Sequence, residues 1–175
     1  MEAMRKTAVN YGLVLGLFLI VTTTLMYSID ISLFTTSWVG IVNIIILTGF
    51  GVVAAVKNKK LLGGFLTFKE TFTSFLITVA VGSFISILFN ILLFNVIDPE
   101  AKGIITENLI KYTVTMMEKF GAKPADMNKI IEDMRNSDSF GTVGQLKGYA
   151  FNLVLYSIIG LVTALIIRRE RPQSI

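Results

Sequence analysis

Residues 63–72 read GGFLTFKETF and separate two long apolar runs, 38–56 and 72–97. Reading this stretch decides whether those runs form one interrupted helix or two antiparallel ones. Gly63 and Gly64 make a flexible break after the basic turn that holds Lys57, Lys59 and Lys60. Thr67 then stands three residues ahead of Glu70, the spacing of a capping box. In that arrangement the threonine hydroxyl accepts from the glutamate amide, and the carboxylate reaches back to the threonine amide. The carboxylate also sits at the positive end of the helix dipole. A new helix therefore starts here, and the two runs are separate elements. Phe65 precedes the cap. Phe68, Phe72 and Phe75 follow on one helical face and read as an aromatic stripe where the helix enters a bilayer. A cytoplasmic gate or partner site is the weaker reading, because every feature already has a local structural use.

Working outward, the chain has 175 residues, 53% of them hydrophobic and only 16% charged. Its mean hydropathy is +0.70. Soluble domains carry about 25% charged residues. Four runs, 9–29, 38–56, 72–97 and 149–167, contain no charge at all. About 20 apolar residues cross about 30 Å of hydrocarbon as a helix. The runs lack the alternation of a barrel strand, and backbone in lipid must bond within its own segment. The expectation is an all-α polytopic membrane protein: one membrane domain over 1–175, four transmembrane helices, and an outward helical insert at about 98–140. The MEAMRK start is basic, but the run after it is too long for a signal peptide. No small-residue cleavage site follows MYSID, so the first helix is expected to stay.

Lysine and arginine set the orientation. Arg5 and Lys6 precede the first span. Lys57, Lys59, Lys60 and Lys69 lie between the second and third, and Arg168, Arg169 and Arg171 follow the fourth. The connection 30–37 has no basic residue. The long connection after the third span mixes lysines with acids. Both termini are therefore expected in the cytoplasm and the long connection outside.

Cysteine and histidine are absent, which removes thiolate nucleophiles, disulfides and imidazole chemistry. No catalytic, metal or cofactor residues suggest themselves, and no nucleic-acid partner is expected. Small residues supply packing signals instead: Gly12 and Gly16 in the first span, Gly160 and Ala164 in the fourth. Gly12 and Gly16 are read first as contacts within the bundle and second as a homo-oligomer seam. Asn43, Asn90 and Asn152 are uncharged polar residues inside spans. They read first as interhelical glue and second as the lining of a path for a neutral solute.

The insert opens with IDPE. Asp98 is placed as an N-cap and Pro99 at the first helical position, where a missing N–H costs nothing. Ile105, Leu109, Tyr112, Met116 and Phe120 follow at helical steps. Gly121 is a stop and Pro124 a restart. Met127, Ile130, Ile131 and Met134 then line a second, shorter amphipathic helix. Leu109, Met116, Met127 and Met134 are the candidate interaction face, since methionine suits adaptable surfaces.

Four spans, GG followed by TFKETF, IDPE closing the third span and the helical pair before the fourth resemble the bacterial membrane family known as domain of unknown function 4199. The resemblance covers nearly the whole chain. It implies an inner-membrane location in bacteria of the Bacteroidota type, with the insert in the periplasm, and no assigned activity. The expected function is a non-enzymatic membrane protein whose outward pair engages lipid or an envelope protein. The alternative is a small-solute transporter or channel component.

Overall fold

The computed structural model describes residues 1–170. The basic residue Arg171 lies outside the described residues. Among those described, six α-helices and no strand are present: α1 (Glu2–Ile29), α2 (Ser37–Leu61), α3 (Phe68–Leu92), α4 (Ala101–Lys119), α5 (Pro124–Asn136) and α6 (Thr142–Ile167). Four helical stretches are long and apolar enough to cross a membrane: α1, α2, α6, and α3 with the turn after it, Phe68–Ile97. The protein is a multi-pass membrane protein. Only 17–28% of the apolar window in each span is buried inside the bundle. Leu17, Ile45, Val154 and Ile166 all face outward, an inversion of the soluble pattern that lipid accounts for.

The helices outrun the charge-free runs at their polar ends. α1 begins at Glu2, and α2 continues through its lysines to Leu61. Charged residues in a terminal turn do not stop a helix; a cap does. At the end of α2 that cap is Gly63 (φ 73°), whose N–H donates to Lys60 O at 3.2 Å while Gly64 N–H donates to Lys59 O at 2.9 Å. This is a Schellman motif. The glycines that read as a flexible break are a defined stop. Between α1 and α2, Asp30 accepts from Ser32 N–H at 2.8 Å and opens a short 3-10 turn, Ile31–Thr35.

α3 is the central helix and packs against α1, α2 and α6. One core joins Leu15 and Leu19 of α1, Leu47 of α2, Phe75 and Val79 of α3, and Tyr156 of α6. The glycine pair of α1 belongs to this seam. A Cβ on Gly12 would stand 2.7 Å from Val81 Cβ, and one on Gly16 would stand 2.7 Å from Ile85 Cβ. Gly82 returns the contact, where an added Cβ would stand 2.5 Å from Leu15 Cδ2. The pair therefore faces α3 within the bundle. Ala164 is fully buried.

Phe75 departs from the expected interfacial stripe. It is 0% exposed, and its ring lies between the backbones of α2 and α6. A Cβ on Gly51 would stand 2.5 Å from the ring, and one on Gly160 would stand 2.8 Å from it. Spacing along α3 put Phe68, Phe72 and Phe75 on one face. It gave no sign that two glycines on other helices make a slot for the last of them.

Candidate functional site

The two ends of the bundle are built differently. At one end gather Arg5, Lys6, Lys57, Lys59, Lys60, Lys69, Arg168 and Arg169; this is the basic end. Its centre is Asn58, fully buried, whose Nδ2 donates to Met4 O at 3.1 Å and to Ser74 Oγ at 2.7 Å. One amide thus ties α1, α2 and α3 together. Lys59 Nζ donates to Ile167 O at 2.6 Å and satisfies a terminal carbonyl of α6. Leu66 and Arg169 exchange both backbone hydrogen bonds, each 2.8 Å, and the Arg169 guanidinium lies 5.6 Å from the centre of the Phe65 ring. At α3, Thr67 Oγ1 accepts from Glu70 N–H at 3.3 Å, and Glu70 Oε2 accepts from Thr67 N–H at 2.9 Å. Within residues 63–72, Thr67 and Glu70 start α3, while Leu66 and Phe65 reach across to Arg169.

At the opposite, insert end, α3 finishes in a wide turn, Leu93–Ile97, with Asp98 N–H donating to Leu93 O at 2.8 Å. Regular α4 begins at Ala101, two residues beyond the position expected from Pro99, and Glu100 precedes it in helical conformation. Asp98 nevertheless accepts from Ala101 N–H at 3.1 Å through Oδ1, while Tyr27 OH donates to its Oδ2 at 2.7 Å. These bonds favour the carboxylate, the tyrosine bond most, and hold the Asp98 pKa below its ordinary value. Ala101 and Ile105 of α4 bury against Leu93 and Phe94, beside Phe34 of the 3-10 turn. Ser37 Oγ donates to Tyr112 OH at 2.8 Å. Asn95 Nδ2 donates to Phe140 O at 3.1 Å, and Lys102 Nζ donates to Asn95 Oδ1 at 3.2 Å.

Beyond these anchors the insert is thinly held. α5 has no buried residue and rests chiefly on α4. Leu109, Met116, Met127 and Met134 are each half-buried. The most exposed large apolar side chain of the insert is Phe120, 81% exposed at the α4 stop.

Below the 3-10 turn lies a cleft with two adjoining lobes, each about 300 Å³. Leu19, Gly40, Asn43, Ser86 and Asn90 line both. The first lobe is the more apolar, with Met26, Phe34, Trp38 and Ile46 beside Thr22 and Thr23; the second adds Ser83, Tyr149 and Asn152. Asn43, Asn90 and Asn152 come from α2, α3 and α6 and meet on this one cleft. No hydrogen bond joins any of the three to a neighbouring helix among the described residues. Asn90 Oδ1 is buried without a partner. The helix-joining asparagine is Asn58, and these three are not glue. Sequence reading passed over Asn58 because KNKK looks like a basic turn. Its signal was the continuation of the small-residue step Gly51, Ala54, Ala55 to Asn58. No charged residue lines either lobe, so the cleft offers hydrogen bonds without acid–base groups.

The sequence matches the family described as "Protein of unknown function (DUF4199)" over residues 10–169. The chain belongs to that family. No curated protein and no solved structure matches it.

Proposed function

We propose that this DUF4199 protein is a non-enzymatic binding protein of the bacterial inner membrane that holds a small uncharged polar group in the asparagine cleft. The observation that supports it is the convergence of Asn43, Asn90 and Asn152 on one cavity, with Asn90 Oδ1 buried and unpaired. Thr48 Oγ1 and Asn58 Oδ1 are buried without a partner as well, so the convergence of the three side chains on one cavity carries the reading. In this reading both termini are cytoplasmic and α4–α5 is outside, which the clustering of lysine and arginine at the basic end supports. The chain contains no cysteine, so single cysteines test the site cleanly. Asn43→Cys and Asn152→Cys should react with a small thiol reagent, and Asn58→Cys should not. Equal protection of all three would remove the cleft as an accessible site. Reporter fusions at Lys59 and Asn128 check the orientation; a cytoplasmic signal at Asn128 would reverse it.

A second reading has its own support. α5 buries nothing and Phe120 stands in the open, so the insert is proposed to engage an envelope protein or the lipid surface. Site-directed crosslinking from Met116 and Met134 measures this. Crosslinks to lipid alone would leave a membrane-surface anchor.

A further inference from the structure

We infer that the ligand of the cleft is an uncharged amphiphilic lipid, headed by a hydroxyl or amide, that enters sideways from the bilayer between α2 and α6. This rests on the asparagine cleft being a binding site and adds what it binds and by which door. Three observations carry it.

The first is the door. α2 and α6 meet over only a small area, far less than either buries against α3. They are joined at the basic end through Lys59 and Ile167 and separated in the middle by the Phe75 ring. Towards the insert end Asn43 and Asn152 are exposed, each within the first two turns of its apolar run. An asparagine facing hydrocarbon with no partner is costly, and a head group lying between the two helices supplies the partner.

The second is the shape. The polar lobe with Asn152, Tyr149 and Ser83 is continuous with the apolar lobe of Phe34, Trp38 and Ile46 through shared lining residues. A water-soluble solute has no use for the second lobe. An amphiphile uses both, and the combined space falls within the range of small-molecule sites.

The third is charge. Neither lobe has a lysine, arginine or acid on its wall. A phosphate or a quaternary amine would enter without a counter-ion, which is unfavourable at this depth. A carboxamide side chain such as Asn90 pairs best with a group that both donates and accepts, and a hydroxyl or amide does both.

The only tryptophan of the chain is Trp38, and it lines the apolar lobe. It reports the experiment without a label. The full chain is reconstituted in phosphatidylcholine vesicles containing brominated diacylglycerol, brominated phosphatidylcholine or brominated phosphatidylglycerol at equal mole fraction. Bromine quenches Trp38 on contact. The expected result is an apparent preference of about fivefold for diacylglycerol over the other two, the worth of one net hydrogen bond. Asn90→Leu should bring the three lipids level. Asn152→Leu, at an exposed position that folding does not depend on, should do the same if Asn90→Leu fails to fold. Equal quenching by all three lipids in the unaltered protein overturns the lipid assignment. If aqueous acrylamide then quenches Trp38 and Asn152→Leu changes that quenching, the cleft survives as a site for a soluble solute. If neither quencher responds to the asparagines, the binding site itself falls. Crosslinked dimers through Asn43→Cys with no lipid preference would assign the exposed asparagines to a second copy of this chain and overturn the proposal.

Discussion

The basic end and the insert end solve the same problem, holding helix termini together, by opposite means. At the basic end one buried amide, one lysine and one backbone bridge join all four spans, and a capping box starts α3. At the insert end Tyr27 of α1 and Ser37 of α2 bond to Asp98 and Tyr112, apolar contacts seat α4 beside the 3-10 turn, and α5 hangs from α4. The basic half is closed around Phe75. The insert half keeps a cleft. The difference separates a part built to stay from a part built with room in it.

Breaking the closed half should cost most. Phe75→Ala empties the slot between Gly51 and Gly160 and should destabilise the protein by about 3–5 kcal/mol, read as thermal unfolding in detergent. A loss below about 1 kcal/mol would mean that α2 and α6 close over the vacancy. Asn58→Ala should follow at about 2 kcal/mol, since both hydrogen bonds of the buried amide go and Ser74 Oγ loses its link to α2. If it proves neutral, the end is held by its lysine and bridge alone.

Thr67→Ala removes one cap acceptor and should cost about 1 kcal/mol, with Thr67→Ser restoring most of it. These three positions also show what the sequence could reveal. The capping pair is local, three residues apart, and legible. The four spans are legible because lipid demands length and apolarity, which any window reads. Phe75 and Asn58 were misread because their partners are glycines and helix ends far away in the chain. The 3-10 turn and the wide turn before Asp98 have no composition of their own. The cleft lay between: its three asparagines were visible and a shared path was the second reading of them, but the absence of any bond to a neighbouring helix was not legible.

Acid should loosen the insert end through Asp98. The pKa of Asp98 is lowered from 3.8 by its bonds. Its contribution is therefore complete above pH 3.8 and is lost as pH falls through the lower folded value. A spin label at Lys111→Cys should gain mobility over that range. The same label in Asp98→Asn should show no acid step. A matching step at a label on the basic end would erase the distinction between the two ends.

The smallest effect is expected at α5. Replacing Pro124–Asn136 by a flexible linker removes no buried side chain and should shift stability by no more than about 0.5 kcal/mol. The four spans should remain inserted. A large loss of stability would show that the insert braces the bundle.

The Leu66–Arg169 bridge has a consequence in time. A ribosome delivers Leu66 long before Arg169. The turn that follows α2 leaves the exit tunnel with its amide, its carbonyl and the nearby Lys59 all uncommitted. They stay so while α3, the insert and α6 are made. Only the last turn of α6 brings the carbonyl that Lys59 caps and the backbone that Leu66 pairs with. The seam of the basic end is thus a closing stitch, laid only once α6 has been made.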